Sequence, residues 1–193
     1  MDHILGLKCS LCGREYGLNE IEYVCPKHGD LGNVDVVYDM RRVARQVSKR
    51  KLSDDRDYSI WRYQALLPIE PDSPALPLQI GWTPLYRSKQ LGDSLEMPHL
   101  YIKDDGRNPT ASFKDRASAI AVVKVRELGR EIITTASSGN AGAALAGMAA
   151  SVGQPAVIFV PQTAPEAKVA QLLMFGASVL LVKGSYDDAF DLC

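Results

Sequence analysis

From residue 132 onward, short β-branched runs alternate with helical segments at a spacing that points to parallel β-α-β units. Residues 132–135, 156–160 and 179–182 are apolar and β-branched enough to read as strands. Between them, residues 140–152 read as one helix, and Pro165 opens another that ends at Gly176. Upstream, residues 99–103 read as a strand, and residues 112–128 as a helix with Ala117, Ala121, Val125 and Leu128 on one face and Gly129 as its stop. Ser185 begins a last helix that runs to Cys193. The pattern predicts an α/β fold, a parallel sheet flanked by helices, with no internal sequence repeat.

Three regions divide the chain. Residues 1–38 are rich in Cys, Gly and His and carry only short apolar runs. Residues 39–80 form a helix and Pro-rich connector: a basic helical stretch (Arg41, Arg42, Arg45, Lys49, Arg50, Lys51), then Asp54, Asp55 and Asp57, then Pro68, Pro71, Pro74 and Pro77. Acids following the basic stretch so closely make a solvated helix face the simple reading of it. Residues 81–193 carry the regular α/β pattern. With 193 residues, 46% of them hydrophobic and 23% charged, the chain can bury one substantial core and a small appendage. A net charge of −1 gives no pull toward nucleic acid, and no apolar run suits a membrane span. Four cysteines, three of them clustered, do not resemble a disulfide framework, and the first residues do not resemble a secretory signal, so a cytoplasmic protein is expected. The chain stops within a helix just after a strand, which reads as a truncated domain. An exposed parallel-sheet edge would favour self-association into a homo-oligomer.

Lys8-Cys9-Ser10-Leu11-Cys12-Gly13 and Val24-Cys25-Pro26-Lys27-His28-Gly29 are two similar knuckles. Each sets two ligand side chains three positions apart before a glycine that permits a tight turn. Together Cys9, Cys12, Cys25 and His28 supply the four ligands of a closed, structural Zn²⁺ site in a zinc-ribbon-like leader. Reduced, uncoordinated thiols are the alternative.

In Asn108-Pro109-Thr110-Ala111-Ser112-Phe113-Lys114-Asp115-Arg116, Pro109 keeps the approach extended and Ser112 is suited to cap the helix that follows. Lys114 then falls in the first helical turn, where the macrodipole disfavours a cation and favours the neutral amine. A neutral amine can attack an aldehyde and form a Schiff base. A lysine that simply extends to water is the other reading of the segment taken alone. A second loop bears on the choice. Ser137, Ser138, Gly139, Asn140 and Ala141 lie between a strand and a helix, at the carboxyl end of a parallel strand, where α/β sheets place ligands. Their backbone N–H groups can receive an anion such as an amino-acid carboxylate, and Asn140 offers an amide to a ring hydroxyl. No G-x-G-x-x-G or phosphate-binding P-loop is present, which disfavours a dinucleotide site.

The lysine motif followed by Ser138-Gly139-Asn140 resembles the fold-type-II pyridoxal-phosphate enzymes, the tryptophan synthase β-like group, and within them the N-terminal portion of the threonine synthase family. Gly81-Trp82-Thr83-Pro84-Leu85, Tyr101-Ile102-Lys103, and Gly176-Ala177 leading to Gly184-Ser185-Tyr186-Asp187-Asp188-Ala189 extend the resemblance from Gly81 to the end. It implies that Lys114 carries pyridoxal 5'-phosphate and moves protons, that Asn140 binds the cofactor's 3-hydroxyl, and that the loop 137–141 holds the substrate carboxylate. The implied reaction is conversion of O-phosphohomoserine and water to threonine and phosphate. It further implies that parts of the cofactor site lie outside these 193 residues, so that the fragment alone is expected to be inactive. Ala111 and Ala117 stand where relatives often carry glycine, and Ala141 where threonine is common, which removes a hydroxyl near the substrate phosphate. A serine or threonine dehydratase, a cysteate synthase-like enzyme, and a non-catalytic zinc-binding or assembly fragment are the alternatives.

Overall fold

The computed structural model describes all 193 residues. The chain divides into two compact units, one comprising Met1–Asp57 with Trp61–Asp72, the other Tyr58–Ile60 with Ser73–Cys193.

The first unit is built on three antiparallel strands, β1 (Ile4–Cys9), β2 (Glu15–Tyr16) and β3 (Val34–Tyr38), in the order β2-β1-β3. The sequence reading assigned no strands here. The strands are short and interrupted by the cysteine knuckles, so periodicity had little to act on. The basic stretch forms two helices rather than one, α1 (Met40–Gln46) and α2 (Lys49–Asp54). Ser48 explains the break: it is extended, and its hydroxyl accepts from the Lys51 N–H, so it caps a new helix instead of continuing the old one. Asp39 caps α1 in the same way through the Arg42 N–H. As expected from its prolines, the stretch 68–84 contains neither helix nor strand.

The second unit opens with an antiparallel pair, β4 (Leu85–Arg87) and β5 (Tyr101–Lys103), joined through α3 (Lys89–Ser94). Then α4 (Lys114–Glu127) leads into β6 (Ile133–Ala136), α5 (Asn140–Ala150), β7 (Ala156–Pro161), α6 (Glu166–Met174), β8 (Ser178–Val182) and α7 (Tyr186–Leu192). Strands β6, β7 and β8 are parallel and lie in that order, as the alternating pattern predicts. Ile158 and Val160 of central strand β7 are wholly buried, together with Met148 of α5 and Val122 of α4. Gly129, Gly153 and Gly176 follow α4, α5 and α6 with φ of 63°, 66° and 78°, the left-handed conformation that ends a helix.

Helix α4 departs from expectation twice. It begins at Lys114 rather than Ser112, and Ser112 serves from just outside by accepting the Lys114 N–H at 3.1 Å. Its buried face is Asp115, Ser118, Ala119, Val122 and Val123, whereas Ala117, Ala121 and Leu128 are exposed. Its alanines fall on the exposed and the buried face alike, so no single apolar stripe fixes its orientation. Packing against α5, itself almost entirely Ala and Gly, selects the face that allows the closest approach.

Candidate active site

Lys114 is the first residue of α4 and is partly buried. Its Nζ stands 4.9 Å from the centroid of the Phe113 ring. No carboxylate is paired with it, whereas Arg116 pairs with Asp105 and Lys124 with Glu127. The amine is therefore not committed to a salt bridge, as an attacking group requires.

The segment that leads to Lys114 is held by a network of polar contacts. Asn108, nearly fully buried, accepts the Gly81 N–H through Oδ1 at 2.9 Å and donates through Nδ2 to the Asp105 carbonyl at 3.0 Å. Arg116 grips both carboxylate oxygens of Asp105, Nε to Oδ2 at 2.9 Å and one terminal nitrogen to Oδ1 at 2.8 Å. Thr83 donates its hydroxyl to the same Oδ1 at 2.5 Å, and Lys103 donates to the Thr83 carbonyl. The Arg116 hydrogen bonds hold the Asp105 carboxyl down to about 2 against partial burial, which acts the other way. Gly81 fits only as glycine: its φ is 86°, and a Cβ there would come within 2.9 Å of the Arg116 guanidinium.

The second loop links β6 to α5. Ser137, Ser138, Gly139 and Ala141 are partly buried, and Asn140 is exposed as the first residue of the helix. Ser137 Oγ accepts the Gly139 N–H at 3.2 Å. Gly139 occupies the N-cap, and no side chain caps the helix, which leaves its first-turn N–H groups available to an anion. α4 and α5 pack against each other, but no hydrogen bond or ion pair joins Lys114 to residues 137–141. The donors and the amine thus fit an aldehyde cofactor and an anionic substrate group. Thr83 belongs to the segment 81–85 that carries part of the sequence resemblance, whereas Asp105 gives no signal in the sequence beyond its place in the chain.

In the first unit, the ligand atoms of Cys9, Cys12, Cys25 and His28 all lie within 4.8 Å of one another. Cys9 Sγ is 3.6 Å from His28 Nδ1, and Cys12 Sγ is 4.0 Å from Cys25 Sγ. Tetrahedral thiolates about 2.3 Å from zinc stand roughly 3.8 Å apart, so the cluster is near coordination geometry. The two knuckles match: the Gly13 N–H donates to the Cys9 carbonyl and the Gly29 N–H to the Cys25 carbonyl, with φ of 70° and 52° at the glycines. The Tyr16 hydroxyl lies 2.9 Å from Cys25 Sγ. Its hydrogen bond brings the Cys25 thiol down to about 6, and the same contact pushes Tyr16 up to about 12. Tyr16 was not singled out from the sequence, where nothing links it to Cys25.

Residues 76–193 match the family described as pyridoxal-phosphate dependent enzyme. The threonine synthase of Methanocaldococcus jannaschii is 39% identical over 186 residues, covering 96% of this chain and 45% of its own. The threonine synthase of Methanosarcina acetivorans is 41% identical over 187 residues, covering 96% of this chain and 44% of its own. Among solved structures, the processed form of threonine deaminase isoform 2 from Solanum lycopersicum is similar with a TM-score of 0.51 at 27% identity, over 56% of this chain and 30% of that one. The chain therefore spans less than half the length of these curated relatives.

Proposed function

The chain belongs to the pyridoxal-phosphate dependent enzyme family, and from that membership we propose that it is the N-terminal portion of a threonine synthase. The reaction assigned to the whole protein is conversion of O-phosphohomoserine and water to threonine and phosphate. The observation that carries this reading is Lys114: an unpaired amine in the first turn of a helix, led in by Asn108-Pro109-Thr110-Ala111-Ser112-Phe113. Likeness to two threonine synthases over nearly the whole of this chain favours that activity over the dehydratase and replacement chemistries of related enzymes.

In this reading Lys114 holds pyridoxal 5'-phosphate and passes protons to and from the substrate carbons. When bound, the cofactor supplies the electron sink for carbanion chemistry. Asn140 offers its amide to the cofactor ring, and the loop 137–141 holds the substrate carboxylate by backbone N–H groups and the α5 dipole. Turnover belongs to a protein of the relatives' full length; the 193 residues alone are expected to attach the cofactor weakly and to be inactive. A cytoplasmic setting and self-association complete the proposal; no helix is long and apolar enough to cross a membrane.

The test is to incubate the protein with pyridoxal phosphate, reduce with borohydride and locate the label by peptide mass spectrometry. We expect it on Lys114 and lost in Lys114→Ala; labelling spread evenly over the lysines would refute the assignment. With the full-length protein, product analysis on O-phosphohomoserine, serine and threonine decides the substrate.

For the first unit we propose that Cys9, Cys12, Cys25 and His28 hold a structural Zn²⁺. The duplicated knuckles and the closeness of the four ligand atoms support it. Metal analysis of protein purified without chelator should find one zinc per chain, and finding none would overturn the assignment.

A further inference from the structure

Asp115 is a wholly buried carboxylate next to the candidate lysine, and nothing in the assigned chemistry uses it. Both its oxygens are taken by one residue. Oδ2 accepts the Thr110 N–H at 2.7 Å, and Oδ1 accepts the Thr110 hydroxyl. The segment between them is closed into a ring, with Ala111 forced to a φ of 58° and its N–H donated to the Asn108 carbonyl at 2.8 Å. Lys114 lies inside this ring, its own N–H held by Ser112 Oγ. An asparagine in place of Asp115 would offer one acceptor and turn an N–H₂ toward a donor.

Thr110 has a second face. A Cβ built at Gly147 of α5 would lie 2.6 Å from Thr110 Cγ2, while the next nearest atoms, both of Phe175, are 3.8 and 3.9 Å away. The threonine methyl is thus seated against the α5 backbone, and it alone forbids a side chain at 147. One residue therefore meets both helices: its polar groups fasten the first turn of α4 through Asp115, and its methyl rests on the helix that begins at Asn140.

We propose that Asp115 and Gly147 are positioning residues that act on Lys114 through Thr110, fixing where the amine stands relative to the loop 137–141. This rests on the reading of Lys114 as the cofactor's amine. A misplacement of about 1 Å in such a pair can cost on the order of a hundredfold in rate.

The test is a rescue experiment. Gly147→Ala, Thr110→Ser, their double variant and Thr110→Val are compared for the rate at which pyridoxal phosphate becomes trapped on Lys114. Exposed Lys89 serves as internal control, and thermal unfolding is followed in parallel. We expect Gly147→Ala to slow Lys114 labelling about tenfold or more. Serine lacks the methyl that the new Cβ would meet, so the double variant should return to within about threefold of Thr110→Ser alone. Thr110→Val keeps the methyl but removes the hydroxyl from Asp115, and should also slow labelling about tenfold or more. Lys89 should not change. Wild-type rates in folded Gly147→Ala, or no rescue in the double variant, would overturn the proposal while leaving the cofactor assignment intact. Should the wild-type protein fail to label Lys114, the cofactor reading falls by itself. Hydrogen exchange at the Thr110 and Lys114 amides then decides the coupling: faster exchange in Gly147→Ala, reversed in the double variant, supports it, and unchanged exchange overturns it.

Discussion

The two units are held together by different means. In the first, the buried cluster around the cysteines is Cys9, Tyr16 and Cys25, flanked by Leu7, Ile21 and Val34, so two of its three buried members are cysteines of the candidate metal cluster. In the second, Val122, Met148, Ile158, Val160 and Leu172 are all at most 1% exposed and carry no polar atom that needs a partner. A unit as small as the first draws little stability from its apolar core alone, and a metal is one of the few remedies. The parallel sheet needs none, because burying each such aliphatic side chain contributes about 1.5–3 kcal/mol.

The comparison breaks most directly by withholding the zinc proposed for Cys9, Cys12, Cys25 and His28. Coordination in small zinc domains contributes on the order of 10 kcal/mol of apparent folding free energy at neutral pH. A strong chelator, or Cys25→Ser, should therefore abolish hydrogen-exchange protection in β1 and β3 while β6 and β7 remain protected. Protection in β1 that survives with no metal bound would show that the leader's own core suffices.

The converse experiment is Ile158→Ala. This wholly buried side chain sits on the middle strand, where the surroundings have little freedom to collapse, so about 3 kcal/mol of stability should be lost in urea unfolding. Zinc content should stay at the wild-type level. A loss below about 1 kcal/mol would mean that the sheet is not what holds this unit.

How much of each unit could be read from sequence follows the same division. The β-branched runs and the helix-ending glycines at 129 and 176 make the parallel sheet legible, because periodicity and αL stops are local signals. The knuckles are equally legible, since ligand spacing is local. The strands between them are not: β2 has two residues, and its pairing of Leu7 with Tyr16 arises from closing the knuckle. The face of α4 was illegible for another reason. Alanines at 117 and 121 and at 119 are chemically alike, and only the approach of α5 distinguishes exposed from buried. Asp115 suits the first turn of a helix, but its complete burial becomes intelligible only once both Thr110 donors are seen.

Within the second unit, a polar network stands beside the apolar core, and acid should separate the two. The Arg116 hydrogen bonds hold Asp105 at about 2, below its ordinary 3.8. A depressed carboxyl contributes stability that is complete above its unfolded value and is lost as pH falls through the folded one, here between roughly 4 and 2. Solvent reaches this pair, whose side chains are 34% and 24% exposed, so screening brings the contribution to about 1 kcal/mol. Urea titrations should show Asp105→Asn less stable by that amount at pH 6, with the difference shrinking as pH falls toward 2. A constant difference across this range would remove the ion pair from the account.

The smallest effect tests whether the loop before Lys114 carries strain. Ala111 has a φ of 58°, a conformation in which its Cβ crowds the following carbonyl at a cost of about 1–2 kcal/mol. Glycine removes that clash but enlarges the conformational freedom of the unfolded chain by somewhat less than 1 kcal/mol. Ala111→Gly should therefore stabilise the second unit by about 0.5 kcal/mol, a shift of roughly 1–2 °C in its thermal midpoint. The leader's metal content should not move. A destabilised variant would mean that the Asp115–Thr110 ring, rather than the alanine's own geometry, sets this conformation, and that the ring holds it without measurable strain.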